Sequence, residues 1–218
     1  ILRKNGFRDV RYPFVIGRGI GHEARVNLYT DEEIGGEFVY VPAGKFVAGG
    51  DPSAGGSAAR NPDAETGDYF IMKFEVTSEP YLRFLNDRTH HDAAQALRRA
   101  PRKLEEVEPL WVREGDRIAL TEGWEPAYPV MGISWDDATE YAAWRTKREK
   151  STFRLPTVAE WEKASRGADG RCYPWGNLFD FSFTKGYRSR ERMGFLEPVG
   201  AFPLDESPFG VRDMAGSV

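Results

Sequence analysis

The sequence predicts an α+β domain with two to three helices, short antiparallel strands and many ordered loops. Three observations carry this prediction. Helix starts are marked at Thr77, at Ser134 with Asp137, and at Thr157, each a residue type that caps free backbone N–H groups. Short runs rich in β-branched and aromatic residues, bounded by Gly, Pro and Asp, have the length and composition of strands. Residues 168–218 hold many Gly, Pro and aromatic residues but little periodicity. That stretch must therefore be ordered loop, fixed by buried aromatics and side-chain hydrogen bonds.

The elements follow in order. Residues 1–37 form a lead-in, in which Arg11–Ile16 and Ala24–Tyr29 read as strands. Between them, Gly17-Arg18-Gly19-Ile20-Gly21 invites comparison with a phosphate-cradling loop. A strand-like segment follows where a dinucleotide fold needs a helix, and no kinase motif set appears later, so a turn between strands is the better reading. Phe38–Pro42, Lys45–Ala48 and Tyr69–Glu75 are the next strands, with Pro42-Ala43-Gly44 as the tight turn of a hairpin. Gly49–Gly67 is small and polar in composition and is expected to be an exposed loop.

The first helix runs from Thr77 to about Asp87, with Pro80 tolerated in its first turn. The second places Ala138, Tyr141, Ala142 and Arg145 on one face. The third opens with a capping box, Thr157 to Glu160, and ends at Gly167. Residues 88–127 form a charge-rich insertion in which Trp111–Arg113 and Arg117–Leu120 flank Glu114-Gly115-Asp116 as a small hairpin.

Composition narrows function. A net charge of -4 with 29% charged residues argues against a nucleic-acid-binding surface. Six Trp, nine Tyr and fourteen Phe demand a packed interior or a binding surface. The single cysteine, Cys172, excludes an internal disulfide and a multi-cysteine zinc site, and fits a reducing, cytoplasmic setting. No apolar run reaches the ~20 residues that cross a bilayer. The sequence opens at Ile1 rather than Met and stops at Val218 inside a motif, so both ends are expected to be cut.

Residue types that could carry chemistry have plainer readings. His90-His91 are neighbours that face different ways on a helix, and His22 stands alone, so neither forms a metal site. Glu160 and Asp137 serve helix starts better than acid–base work. No catalytic residue and no metal ligand is assigned. Trp111, Trp124 and Tyr187 are the candidate ligand- or partner-binding residues. For Trp111, local packing of the insertion hairpin is the competing reading, and most of the other tryptophans are expected in the core.

Several ordered blocks then converge on one family. Phe38-Val39-Tyr40-Val41-Pro42-Ala43-Gly44-Lys45-Phe46, Phe74-Glu75-Val76-Thr77 with Tyr81 and Phe84-Leu85, and Tyr128-Pro129-Val130 come first. Ile133-Ser134-Trp135-Asp136-Asp137-Ala138 with Tyr141-Ala142-Ala143-Trp144, and Arg154-Leu155-Pro156-Thr157-Val158-Ala159-Glu160-Trp161-Glu162-Lys163-Ala164, follow. Tyr173-Pro174-Trp175-Gly176-Asn177, Pro198-Val199-Gly200 and Gly210-Val211-Arg212-Asp213-Met214-Ala215-Gly216 complete the order. The chain resembles formylglycine-generating-enzyme (sulfatase-modifying-factor) domains over residues 38–218. The resemblance implies a C-type-lectin-related fold, and in active members a copper ion held by two cysteine thiolates. One thiol cannot supply that pair, so no cofactor is assigned to this chain. Where the family usually has Asn at the start of a calcium-associated loop, this sequence has Ser217, a weaker ligand.

The lead-in Arg8-Asp9-Val10-Arg11-Tyr12-Pro13 with Val26–Tyr29, together with Asp205-Glu206-Ser207-Pro208-Phe209-Gly210, resembles bacterial proteins in which a serine/threonine kinase domain precedes such a module. The expected function is therefore a non-catalytic ligand-binding or regulatory module joined to a kinase, its ligand a protein or small molecule. The alternatives are a copper-dependent oxidase of sulfatase cysteine whose catalytic cysteines lie beyond residue 218, and a structural remnant without a ligand.

Overall fold

A computed structural model describes residues 1–19, 21–51, 54, 56–103, 109–186, 188–189 and 196–216, with His90 and His91 described in their backbone only. These residues fall into two compact units. One comprises Ile1–Phe74, Pro156–Met193 and Phe202–Ser217; the other comprises Glu75–Leu155 and Gly194–Ala201. Among the described residues there are four helices and six strands, the strands forming three antiparallel pairs.

In the first unit, β1 (Phe38–Val41) pairs with β4 (Tyr69–Met72), and β2 (Gly44–Ala48) pairs with β3 (Asn61–Thr66). The expected β1–β2 hairpin is therefore replaced by two separate ladders. The Pro42-Ala43-Gly44 corner explains this. Its Ala43 N–H is taken by the Asp68 carboxylate, and the carbonyls of Pro42 and Gly44 are taken by Lys163 Nζ at 2.7 and 3.0 Å. With those groups satisfied elsewhere, the strands leave the corner toward different partners. β3 lies inside the segment expected to be wholly loop. Its mostly exposed side chains gave no period-2 signal, and ladder bonds to β2 define it.

The lead-in also departs from expectation. Arg11–Ile16 and Ala24–Tyr29 join no ladder and are not strands. Residues 21–29 are non-helical, so no helix start follows the glycines as a phosphate loop would need. Instead, a four-residue helix, α1 (Asp31–Ile34), follows and is held by a Thr30–Glu33 capping box. Arginines fasten the lead-in to this unit. Arg8 Nη1 donates to the carbonyls of Gly35 and Phe38 at 3.0 and 3.1 Å, and Arg11 pairs with Glu206 at 2.6 Å. Phe14 stacks on His22 with ring centres 4.6 Å apart, so that histidine has an aromatic neighbour and no ligand set.

Helix α4 (Val158–Arg166) opens on the expected Thr157–Glu160 capping box and closes at Gly167, whose φ of 73° favours glycine. A Cβ there would also stand 2.7 Å from Pro208 Cγ. The helix buries polar residues as well as Ala164. Lys163 adds a third bond, to Thr66 Oγ1 at 2.9 Å. Arg166 donates to the carbonyls of Gly49, Gly170 and Arg171 and pairs with Glu162. Val41, Ala164, Phe209 and Val211 form the apolar centre beside this network.

The second unit is built on α2 (Ser78–Arg98) and α3 (Trp135–Glu149). α2 continues about three turns into the stretch expected to be irregular, with Asp92 interrupting and restarting it. Asp92 has extended backbone angles, and its carboxylate accepts from Gln95 N–H at 2.9 Å. Thr77 occupies the N-cap position but makes no side-chain cap. The N–H groups of Ser78 and Glu79 bond instead to the carbonyls of Tyr128 and Pro126. α3 starts where Ser134 and Asp137 mark it, the two forming a capping box, and buries Tyr141, Ala142 and Arg145 of the predicted face. The insertion hairpin is present as β5 (Val112–Glu114) and β6 (Arg117–Ala119). Asn86 covers the outer edge of β6 by bonding both N–H and C=O of Ile118.

Candidate functional site

Trp111 is fully buried in the second unit, within a cluster that includes Tyr81, Phe84, Ile118 and Tyr141. It offers no edge to a partner, so packing is the role the structure gives it. Burying an indole of this size outweighs any local preference of a short hairpin for solvent. Trp124 is half-buried against the same cluster, edge-on to Trp111 at 6.0 Å. Its Nε1 donates to Ser78 Oγ at 2.8 Å, and Ser78 Oγ donates onward to the Tyr128 carbonyl. Tyr187 lies outside the described residues. The two described candidates, Trp111 and Trp124, therefore meet in the core of the second unit rather than on a surface. Trp135 and Trp161, expected in the core, are exposed.

Cys172 is half-buried, and its N–H donates to Asn177 Oδ1 at 3.0 Å. Burial, reinforced by the neighbouring Asp51 carboxylate, pushes its thiol above the ordinary range. This is the opposite of the lowered pKa that makes a thiolate nucleophile or metal ligand. The two-thiolate copper site of active family members does not fit residues 1–218, which hold one thiol in an acidic setting. Among the described residues, no group of three His, Cys, Asp or Glu side chains is placed to hold a metal ion. Ser217 lies outside them.

A polar knot closes the first unit. Asp205 is buried, and its Oδ2 accepts from Thr184 Oγ1 at 3.2 Å and from Ala215 N–H at 3.1 Å. Asp205 Oδ1 has no hydrogen-bond partner among the described residues, and Asp213 adds a second buried carboxyl group nearby. Burial raises the Asp205 carboxyl to about 6, against 3.8 ordinarily. Between those values the folded chain holds a proton that the unfolded chain releases, so this residue's contribution to stability falls as pH rises. Asp205→Asn removes that titration. The stability of the natural chain relative to this variant is expected to drop by about 2 kcal/mol between pH 4 and pH 7. Urea melts of both proteins at the two pH values check it, and an unchanged difference would show that Asp205 titrates normally.

An exposed apolar group in this unit follows Cys172. Tyr173 and Trp175 stack with ring centres 5.2 Å apart, Trp175 meets Phe183 edge-on, and Phe179 meets both Tyr173 and Phe181. Trp175 Nε1 donates to the Leu178 carbonyl at 2.8 Å. Asp180 Oδ1 accepts from Ser182 N–H and Oγ at 2.8 and 2.6 Å, and Phe183 N–H donates to the Asp180 carbonyl at 3.2 Å. These bonds fix a loop that leaves Leu178 84%, Phe179 49% and Phe181 45% exposed. The Arg188 guanidinium sits over the outer ring, 5.8 Å from the Phe181 centre. The sequence reading missed this surface. Leu178-Phe179-Asp180-Phe181 sits in a stretch without periodicity, where buried aromatics were expected to fix the loops and Tyr187 was the residue singled out for binding; the Asp180-Phe181-Ser182 turn was the available signal.

Short ladders, capped helices and long bonded loops define the architecture of formylglycine-generating-enzyme-like domains. The family model of the sulfatase-modifying factor enzyme 1-like domain matches residues 27–218, and the chain belongs to that family. Solved structures agree on the fold: CarF superposes with a TM-score of 0.53 at 20% identity, covering 83% of this chain and 77% of that one. PvdO from Pseudomonas aeruginosa gives 0.53 at 22%, covering 81% and 66%. Among relatives, an inactive C-alpha-formylglycine-generating enzyme 2 of Mus musculus is 28% identical, over 83% of this chain and 66% of its own length. The serine/threonine-protein kinase pkn1 of Chlamydia caviae is 29% identical over 90% of this chain, which spans only 30% of that protein. A formylglycine-generating enzyme of Thermomonospora curvata is 30% identical over 82% of this chain and 62% of its own length.

Proposed function

We propose that this chain is a non-catalytic module of the family, binding a ligand or regulating the protein that carries it, and joined there to a serine/threonine kinase domain. One observation carries the reading: residues 1–218 supply a single thiol, partly buried and raised in pKa, where the family's oxidation needs two reactive ones. Similarity to an enzyme named inactive and to a kinase along nine-tenths of this chain supports it. The fold suits binding, since loops vary on a fixed frame. A cytoplasmic setting belongs to this proposal. No helix among the described residues is long and apolar enough to cross a membrane.

The competing reading is the copper-dependent oxidase, which similarity to an enzyme named for that activity keeps open. Mass spectrometry separates the two. The full-length protein is incubated with copper, oxygen and a sulfatase-type cysteine peptide. The peptide is expected to keep its cysteine, and its conversion to the aldehyde would replace the binding module with an oxidase. For the kinase link, the full-length protein is expected to phosphorylate itself or a generic substrate with ATP; no phosphate transfer from a purified, folded sample would remove that part of the proposal.

A further inference from the structure

We propose that Asn5 is a site of spontaneous covalent modification, converted to aspartate and isoaspartate through attack by the backbone nitrogen of Gly6. The inference stands on the lead-in and is independent of the binding-module reading.

The sequence holds five asparagines, Asn5, Asn27, Asn61, Asn86 and Asn177, and only Asn5 is followed by glycine. The Gly6 N–H loses its proton to base in solution, and the nitrogen attacks Asn5 Cγ. A C–N bond forms, the side-chain nitrogen leaves as ammonia with a proton from solvent, and a five-membered imide remains. Water then opens the ring. Attack at Cγ gives aspartate, and attack at the main-chain carbonyl gives isoaspartate. The net change consumes one water and releases one ammonia. Nucleophile and carbonyl sit in adjacent residues, so no bimolecular encounter is needed.

The fold leaves this step unhindered at Asn5. Asn5 and Gly6 are exposed, in a turn closed by one backbone bond from Phe7 N–H to the Lys4 carbonyl at 3.1 Å. Gly6 has a φ of 83°, and a Cβ there would meet nothing within 4 Å. Among the described residues, neither the Asn5 amide nor the Gly6 N–H has a hydrogen-bond partner. A turn with so few bonds opens readily, which frees Gly6 N to approach Cγ.

The other four asparagines are held back. Asn27 Nδ2 donates to the Asp68 carboxylate, and the bulky Leu28 follows. Asn61 lies in β3 and precedes Pro62, which has no N–H to ionise. Asn86 sits within α2 with both ends of its amide bonded to Ile118, at 3.0 and 2.8 Å. Asn177 Oδ1 accepts from Cys172 N–H at 3.0 Å. Asp169-Gly170 is open to the same cyclisation with loss of water. There, Arg171 Nε and Nη2 hold the carboxylate at 2.9 and 2.8 Å, and Gly170 is packed against Val47.

Isoaspartate adds one carbon to the backbone between Leu2 and Val10, which exchange both N–H···O bonds. The added atom upsets that register. Val10 is buried with Ile34 and Tyr40, so the modification loosens the lead-in at one of its anchors.

The test keeps the 218-residue chain at pH 8.5 and at pH 6, folded and in urea, and follows each asparagine by peptide mass spectrometry. Isoaspartyl methyltransferase labelling separates the two products. In the folded chain Asn5 is expected to convert about tenfold faster than any other asparagine, and faster at the higher pH. Its rate is expected to lie within about threefold of that in urea. Asn5→Gln, an exposed change that leaves the fold intact, is expected to abolish conversion at residue 5, because its longer side chain closes a ring less readily. Amide exchange at Leu2 and Val10 is expected to rise in the modified chain. An Asn5 that stays intact in the folded chain while converting in urea would overturn the proposal, since the turn would then protect it. Conversion of Asn27 or Asn177 as fast as Asn5 would do the same. Unchanged exchange at Leu2 and Val10 after modification would overturn the loosening of the lead-in.

Discussion

Replacing Trp111 by alanine is expected to cost about 3–5 kcal/mol of stability, the range for truncating a fully buried aromatic. Trp111 is wholly buried, packed edge-on to Tyr81 and Trp124 with centres about 6 Å away. Alanine would leave a cavity in the second unit that Tyr81, Phe84 and Leu85, themselves fully buried, have little freedom to fill. Trp111→Phe is expected to cost less than alanine, because it leaves a smaller cavity. Trp111 Nε1 has no hydrogen-bond partner among the described residues, so the phenylalanine removes a buried polar group along with the lost volume. Urea melts of the three proteins measure both effects. An alanine variant within 1 kcal/mol of the natural chain would mean that Trp111 is not a core residue.

Lys163→Met is expected to cost about 1–3 kcal/mol at pH 7 and to show a pH signature that an apolar core change lacks. The lysine is 3% exposed, and its ammonium reaches Pro42 O, Gly44 O and Thr66 Oγ1. Methionine fills much of the stem and leaves those oxygens without their donor. Burial lowers the amine to about 8, against 10.5 ordinarily. Between those values the unfolded chain binds the proton and the folded chain does not, so this residue stabilises the fold increasingly as pH rises. Below pH 8 the lysine is charged in both states, so its contribution no longer changes with pH. The difference in stability between the natural chain and Lys163→Met is therefore expected to grow by about 2 kcal/mol between pH 7 and pH 9.5. Buried tyrosines with raised pKa, Tyr69 and Tyr81 among them, act in the opposite sense only above pH 10 and are common to both proteins. A pH-independent difference would show that the lysine titrates as in water.

These two residues mark the boundary of what a sequence reading reaches. Trp111 and Trp124 carry the same chemistry as a partner-binding pair, and only the packing of α2, α3 and the insertion hairpin makes them interior. Leu178 and Phe179 are apolar and would be assigned to a core by composition, yet the loop's own hydrogen bonds turn them outward. Composition alone therefore does not reveal the Leu178–Phe181 surface, and Tyr187, the binding candidate of that stretch, lies outside the described residues.

The sequence by itself determined what is local. The capping boxes at Ser134 and Thr157, the apolar face of α3, the stop at Gly167 and the insertion hairpin each depend on residues within a turn or two, and each is present. It also determined family membership, because ordered blocks record the whole fold without specifying its contacts. Only the tertiary structure decided strand pairing, the fastening of the lead-in and the side on which each tryptophan lies. Those outcomes rest on partners far apart in the chain. Lys163 meets acceptors 97 to 121 residues away, and Arg11 meets Glu206 across 195. A local pattern cannot encode which distant carbonyl will satisfy a buried ammonium; the closed fold settles it.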